Sequence, residues 1–373
     1  MWIDTDCFFP IYSVHPSQNP FERDCLSSFQ HPGLNHFPNN SPGVERMETL
    51  IITKKDIEAV LTPSVAIKAV QKAFRAQGSG QVDMPAKSYL YFKKGDLRSM
   101  PAYVHGQGVN MAGIKSVNVH PDNRRQGLPS VMAVITLTDP KNGFPLAIMD
   151  GTYLTSIRTG AAGGLAAKLL SRKNAQVAGF VGCGVQARTQ LSCLMEVRNL
   201  KYIKVWQRSR KSSSARHFCE WARETYHLET LISPEIDEVT TDVGILVTAT
   251  PSCKPLVNHV SPGTHINAFG ADAKGKQEIS PRILKQGKII VDDWTQASHS
   301  GEINVPLSKR QIFKKHIYGE LGEIAAGKKR GRTSEEEITL FDSTGLAIQD
   351  VACAFYVYKE LKGGAGVKRV TLF

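Results

Sequence analysis

The chain contains no run of about 18 apolar residues, so it offers no membrane span. Its start, MWIDTDCFFPIYSVHP, lacks the basic opening and long apolar core of a secretion signal. Cysteines are few. The seven form no CxxC pair and no zinc spacing, which predicts reduced thiols in a cytoplasmic protein rather than a disulfide framework. The eleven histidines show no HExxH or other paired spacing, so no metal is expected. No GxSxG or Cys–His signature points to acyl transfer. Acidic residues fall short of basic ones, 34 against 46, leaving a net charge of +12. Yet the densest basic run, KKRGR from Lys328 to Arg332, has no aromatic residue interleaved. A solvated loop or anionic small ligands account for it better than nucleic acid, which is not expected as a partner.

What is present is globular: 41% apolar and 21% charged residues over a length of 373, enough for two domains with their own cores. Residues 1–46 differ. They hold six of the nineteen prolines and no periodicity, and read as a poorly ordered extension. Met47, which then opens METLIITKKDIEAVL, is a conceivable alternative start. KSYLYF, AGIKSVNVH and SVMAVITLTD read as strands, and Asp150 can cap a helix through GTYLTSIRTGAAGGLAAKLLSR. After residue 174 strands and helices alternate: AQVAGFVG, VQARTQLSCLMEV, KYIKVWQ, SSSARHFCEWARETY, VGILVTAT, THINAFG, SPRILKQ, GKIIVDD. That rhythm predicts an α/β fold with a doubly wound parallel sheet following an α+β part. The final helix, GLAIQDVACAFYVYKELK, has nothing left to pair with and should return to the first part.

FVGCGVQARTQL (180–191) fits G-x-G-x-x-A between an apolar strand and an amphipathic helix. Gly182 permits the tight turn, Gly184 lets backbone approach a pyrophosphate, and Ala187 lets the helix pack close. Val185 and Gln186 open a helix whose N–H groups and dipole favour an anion. The next strand, KYIKVW, should end on an acid for the adenosine ribose. It ends on Gln207, Arg208 and Ser209. A carboxylate would repel a 2′-phosphate while Arg208 and Ser209 would bind one, so NADP(H) is expected over NAD(H).

Four motifs, GFPLAIMDGTYLTSIRTGAAGGLAAKLL, GCGVQARTQL, INAFGADAKGKQEI and FDSTGLAIQD, resemble the ornithine cyclodeaminase/μ-crystallin family over residues 47–362. GADAKGKQE (270–278) is nearest the archaeal-type alanine dehydrogenase branch pattern GADAPGKQE, with Lys274 in place of the proline. WQRS resembles the NADPH-binding WNRT of μ-crystallins. The resemblance implies a Rossmann-type sheet (158–344) inserted in an α+β substrate-binding and dimerisation domain (47–157 with 345–373), a homodimer, and a site in the cleft between domains.

Chemistry at an amino-acid Cα needs a cationic clamp for the carboxylate and an acid or base for the amine or water. Lys87 (MPAKSYL), Arg98 (LRSMP), Lys115 (GIKSVNVHP) and Arg158 (SIRTGA) are the candidate cations. Arg158 stands in a helix of small and apolar residues, and a buried arginine needs an anion, either substrate or a structural carboxylate such as Asp150. Lys87 and Lys115 on strands have a solvated face as the alternative. The resemblance places Lys87, Lys115 and Arg158 on the substrate carboxylate, and gives acid/base catalysis to Asp272, which could otherwise cap a helix; Lys115 is a second catalytic candidate. Thr159 could donate to phosphate, and Thr248, Ala249 and Thr250 end a strand that, as the resemblance implies, passes near the nicotinamide. Gly160, Gly163 and Gly164 mark close approach of cofactor or sheet, or helix packing alone.

The expected function is hydride transfer at Cα of an L-amino acid or its imine, in the manner of alanine dehydrogenase. Ornithine cyclodeaminase chemistry (L-ornithine to L-proline plus ammonia), a ketimine reductase and a non-catalytic NADPH-binding μ-crystallin-like protein are the alternatives.

Overall fold

The structure is a computed structural model that describes residues 47–208 and 213–373. Residues 1–46, including the expected extension, lie outside the described residues. Seven strands come first: β1 (Thr49–Ile52), β2 (Val82–Asp83), β3 (Ser88–Phe92), β4 (Gly95–Val104), β5 (Met111–Val119), β6 (Val131–Thr138) and β7 (Pro145–Asp150). Eight more follow: β8 (Val177–Val181), β9 (Tyr202–Trp206), β10 (Glu229–Ser233), β11 (Ile245–Thr248), β12 (His265–Ala268), β13 (Lys288–Val291), β14 (Ile317–Glu320) and β15 (Thr339–Asp342). A last strand, β16 (Lys368–Val370), returns to pair with β1. The chain therefore makes an α+β sheet ordered β16-β1-β7-β6-β5-β4-β2, with β3 also on β4, and inserts into it a second sheet ordered β10-β9-β8-β11-β12-β15-β13-β14.

All pairings in the second sheet are parallel, and its first five strands run 3-2-1-4-5, the Rossmann order. It is wound on both faces. Ile245 and Val247 pack with helices Val185–Met195 and Ser214–Tyr226, while Leu246 between them packs with helix Pro281–Gln286 on the other side.

Two features differ from expectation. β4 is a ten-residue strand despite Pro101. β3 pairs only with residues 95–99 of β4 and β2 only with 103–104, so the proline sits between them, where a missing N–H breaks no ladder on that edge. The C-terminal helix, Ala347–Leu361, packs on β4, β5 and β6 as expected, but a further strand, β16, follows it.

Helix Gly151–Leu170 starts where Asp150 accepts N–H bonds from Thr152 (3.2 Å) and Tyr153 (2.9 Å). Its glycines are explained by packing. A Cβ on Gly160 would lie 2.4 Å from the Thr189 carbonyl oxygen and one on Gly164 would lie 3.0 Å from the Cys193 Cβ, both on the helix after the glycine turn. The KKRGR run is partly structural too. Arg332 donates to the carbonyls of Leu170 (2.6 Å), Glu337 (2.6 Å) and Gly263 (3.1 Å), pinning its loop across the second sheet.

Candidate active site

Strand alternation builds one wall. Met100 faces Lys115 across the β4–β5 ladder and Arg98 faces Val117, so Arg98, Met100, Lys115 and Val117 share one side of the sheet. Met100, Ala102 and Val104 continue that side into the core, which is why Lys115 is only 1% exposed. Lys87 is in the loop just ahead of β3, not on a strand as expected. Arg158 comes from the glycine-rich helix and Asp272 from the loop after β12. These residues, with Thr159 and Gln186, line one cavity of about 220 Å³. Val117, Val119, Val131, Met100 and Phe269 supply its apolar surface, and Ser343, Thr344 and Gly345 another side.

The cations are only partly neutralised. Asp350, buried in the C-terminal helix, binds Arg158 Nε through Oδ1 (2.9 Å) and Lys115 Nζ through Oδ2 (2.7 Å). One carboxylate thus serves two cations, leaving a positive excess in a buried place. Arg158 also donates Nη1 to Gln349 (2.8 Å). Asp150 is not its partner; Asp350 is, beside Gln349 in the first turn of the last helix. Arg98 binds Asp96 (2.7 Å) and approaches Asp272 (3.4 Å), with its guanidinium 5.5 Å from the centre of the Tyr89 ring. Lys87 donates to the Thr344 carbonyl (2.6 Å).

Burial pushes the Lys115 ammonium down to about 7, with Arg158 adding to the effect and Asp350 opposing it. Lys87 is pushed down to about 8, again chiefly by burial and then by Arg158, with Asp292 opposing. Burial works to raise Asp272, but the Lys276 ammonium 2.5 Å away and Arg98 outweigh it and hold the carboxyl below its usual range. Asp272, 40% exposed, is therefore an ionised acceptor at the cavity mouth. Lys276, which the sequence reading passed over, is its partner; the neighbouring Lys274 is exposed.

The glycine turn fits a pyrophosphate. Gly182 has φ +110°, and a Cβ there would lie 2.6 Å from the Ala249 carbonyl oxygen, so glycine is required by the fold itself. Gly184 has no side chain to cap helix Val185–Met195, and a Cβ on it would meet nothing within 4 Å, so this helix start is open to an anion. Val185 is exposed, and Gln186 reaches the cavity. Behind the turn, Glu278 accepts the N–H groups of Thr250 (2.7 Å) and Gly270 (3.0 Å), tying the loops after β11 and β12 together. Thr248 is buried below them, and Ala249 donates its N–H to Val181 (2.9 Å). Thr159 Oγ1 donates to the Thr155 carbonyl in its own helix (2.7 Å).

A parallel Rossmann sheet with an uncapped glycine turn, set beside a cation-rich cavity with a carboxylate at its mouth, defines an NAD(P)-dependent oxidoreductase of the amino-acid dehydrogenase and cyclodeaminase type. The model of the ornithine cyclodeaminase/mu-crystallin family matches residues 47–365, and the chain belongs to that family. An alanine dehydrogenase of Archaeoglobus fulgidus is 50% identical over 316 residues, 84% of this chain and 95% of that protein. Among solved structures, an archaeal alanine dehydrogenase dimer with bound NAD is 48% identical (TM-score 0.83; 88% of this chain, 100% of that one). The Thermococcus litoralis Delta(1)-pyrroline-2-carboxylate reductase in complex with NADH and L-proline is 35% identical (TM-score 0.82; 86% and 100%).

These findings overturn the expected preference for NADP(H) over NAD(H): the archaeal alanine dehydrogenase carries NAD. The missing acid was misread as a phosphate site. Gln207, first after β9, anchors its N–H on the Ser233 carbonyl (3.0 Å), and a neutral carboxamide can meet ribose hydroxyls without a charge. Arg208 is exposed, and Ser209 lies outside the described residues.

Proposed function

We propose that this chain is an NAD(H)-dependent L-alanine dehydrogenase, a cytoplasmic homodimer. Support for the substrate comes from the cavity lining. Among the described residues its only carboxylate is Asp272, already paired with Lys276 and Arg98; the rest is cationic, neutral or apolar. A small apolar side chain fits against Val117, Val119 and Val131. The second ammonium of ornithine would lie among cations without an anion of its own, a penalty of several kcal/mol. The archaeal alanine dehydrogenase, a dimer with bound NAD, supports the dimer and NAD(H), and the Thermococcus reductase in complex with NADH supports NAD(H).

In this reading residues 47–157 with 345–373 hold substrate and partner subunit, and 158–344 hold the dinucleotide. Lys87, Arg98 and Arg158 hold the substrate carboxylate, with Arg158 offering Nη2, since Nε and Nη1 are engaged. The glycine turn, Gly182 to Gln186, holds the pyrophosphate; Gln207 and Arg208 border the ribose; Thr159 and Thr248 to Thr250 flank the ring. The nicotinamide, when bound, supplies the hydride acceptor. Asp272 and Lys115 manage protons: the ionised Asp272 orients water and accepts its proton, and Lys115, titrating near neutrality, takes the proton of the substrate ammonium.

The test is incubation with NAD and L-alanine or L-ornithine, or with NADH and a cyclic imine, following nicotinamide absorbance and proline. Turnover of L-alanine alone is expected. Proline from ornithine would sink the reading, and silence with all three would mean a cofactor binder. Imine reduction without alanine turnover would establish the second reading, a Delta(1)-pyrroline-2-carboxylate reductase, since the same valine wall would take ring methylenes. Kd values for NADH and NADPH, read by nicotinamide fluorescence, test the cofactor; tighter NADPH would refute NAD(H).

A further inference from the structure

Asp292, directly after β13, is fully buried and has no role in the site as described so far. Its Oδ2 accepts the backbone N–H groups of Thr344 (2.6 Å) and Gly345 (2.8 Å), and its Oδ1 accepts that of Asp293 (2.9 Å). The Thr344 hydroxyl lies 3.2 Å from both oxygens. The loop so held forms one side of the cavity. Its Thr344 carbonyl receives the Lys87 ammonium, and its Gly345, at φ +75°, lies so close under Arg158 that a Cβ would be 2.6 Å from Nη1. No other carboxylate reaches that loop segment by hydrogen bonds among the described residues.

We propose that Asp292 is a positioning residue of the active site: its carboxylate clamps the Ser343–Gly345 loop, sets the place of Lys87 through the Thr344 carbonyl, and supports its charge by direct attraction. The functional consequence rests on the reading that Lys87 holds the substrate carboxylate. Asp292 is the strongest of the groups that keep Lys87 protonated; Asp272 assists, while Arg158 and Arg98 oppose. Around Asp292 itself stand Lys87, Asp293, Asp342 and Glu320. Burial pushes Asp292 up to about 6, so it is ionised at and above neutral pH.

The test compares wild type, Asp292→Asn and Asp292→Glu in the full chain. Reactivity of Lys87 toward trace acetic anhydride, read by peptide mass spectrometry against pH, reports its ionisation without turnover. The midpoint should fall by about one unit in Asp292→Asn, as expected for loss of a neighbouring opposite charge, and stay near wild type in Asp292→Glu. The falling limb of kcat/KM should move with it, and KM should rise more than kcat drops. Thermal melting and NADH affinity check that each variant is folded. An unmoved Lys87 midpoint in folded Asp292→Asn overturns the proposal. If that variant does not fold, Asp292→Glu decides, because its longer arm must displace the Thr344 carbonyl: KM up about fivefold or more supports the clamp, and unchanged KM overturns it. Failure of both to fold overturns it as well, making Asp292 a folding residue. Lys87→Met separates the two claims. Unchanged KM there refutes the role of Lys87 while leaving the Asp292 effect on its ionisation standing.

Discussion

Arg158 gives the sharpest residue-scale prediction. Its planar fork spans Asp350 and Gln349 and, in the proposed site, offers Nη2 to the substrate, and lysine cannot reproduce three directed donors. Arg158→Lys should raise KM for the amino acid by about tenfold or more, one charge-assisted bond's worth, with NADH affinity near normal. Steady-state kinetics with fluorescence titration checks this; an unchanged KM removes Arg158 from the site. The pH profile gives a second prediction. Lys115 is pushed down to about 7, so its proton-accepting neutral form grows as pH rises. The kcat/KM for L-alanine should climb through about 7 and fall again above about 8, where Lys87 loses the proton with which it holds the substrate carboxylate. Asp350 is what supports the charged form of Lys115, so Asp350→Asn should lower the pKa further and move the rising limb to lower pH. A limb that moves upward, or none, would take Lys115 out of the proton transfer. At this scale Arg158 stood out as a lone cation among small and apolar residues, Lys87 and Lys115 stood out through the family resemblance, and the structure brings all three to one cavity. Asp350 on the last helix, the partner of Lys115 and Arg158, was not legible, because that pairing depends on how distant elements meet; Lys276 is a local partner, four residues beyond Asp272.

At the scale of elements, the glycine-rich helix shows what a sequence leaves open. Gly160, Gly163 and Gly164 announce that something comes close, but not what. The structure answers with the helix after the glycine turn: the Thr189 backbone lies over Gly160, and the Gln190 side chain lies over Gly163 and donates to the Thr159 carbonyl (3.1 Å). Replacing Gly160 by alanine gains about 1 kcal/mol of helix propensity. It also drives a Cβ to 2.4 Å from a backbone oxygen, and such overpacking typically costs about 1–3 kcal/mol. The clash should win, and because this crossing seats Arg158 beside the turn, Gly160→Ala should lower Tm by about 2–6 °C and raise KM. Melting followed by circular dichroism decides it; a raised Tm would mean the two helices can part without cost. Strand content shows the same limit. Period-two runs such as AGIKSVNVH were legible, whereas β4 hides behind Pro101 and β16 is three residues long.

For the whole molecule, alternation of strand and helix revealed the doubly wound sheet, and the glycine turn lies where the pattern put it, between β8 and the following helix. The order of its far half was not legible. β15 enters between β12 and β13 after two intervening strands, a placement that no local pattern encodes. The extent of the folding unit can be predicted. The family match opens at residue 47, and β1 pairs with β7 on one side and β16 on the other. Among the described residues, the three apolar clusters that make up the cores begin at Leu50. Glu48 also pairs with Arg369 (3.9 Å), but an exposed pair of that length contributes little. A chain beginning at Met47 should therefore melt within about 2 °C of the full protein, since it keeps the whole family match and every described core residue. It should bind NADH equally and oxidise L-alanine with kcat/KM within about twofold, a difference well under 1 kcal/mol. Size-exclusion chromatography with light scattering should show the same assembly state for both. A truncated protein that melts much earlier, changes its assembly or loses turnover would show that residues 1–46 pack against the enzyme, and that its working unit is larger than the family core.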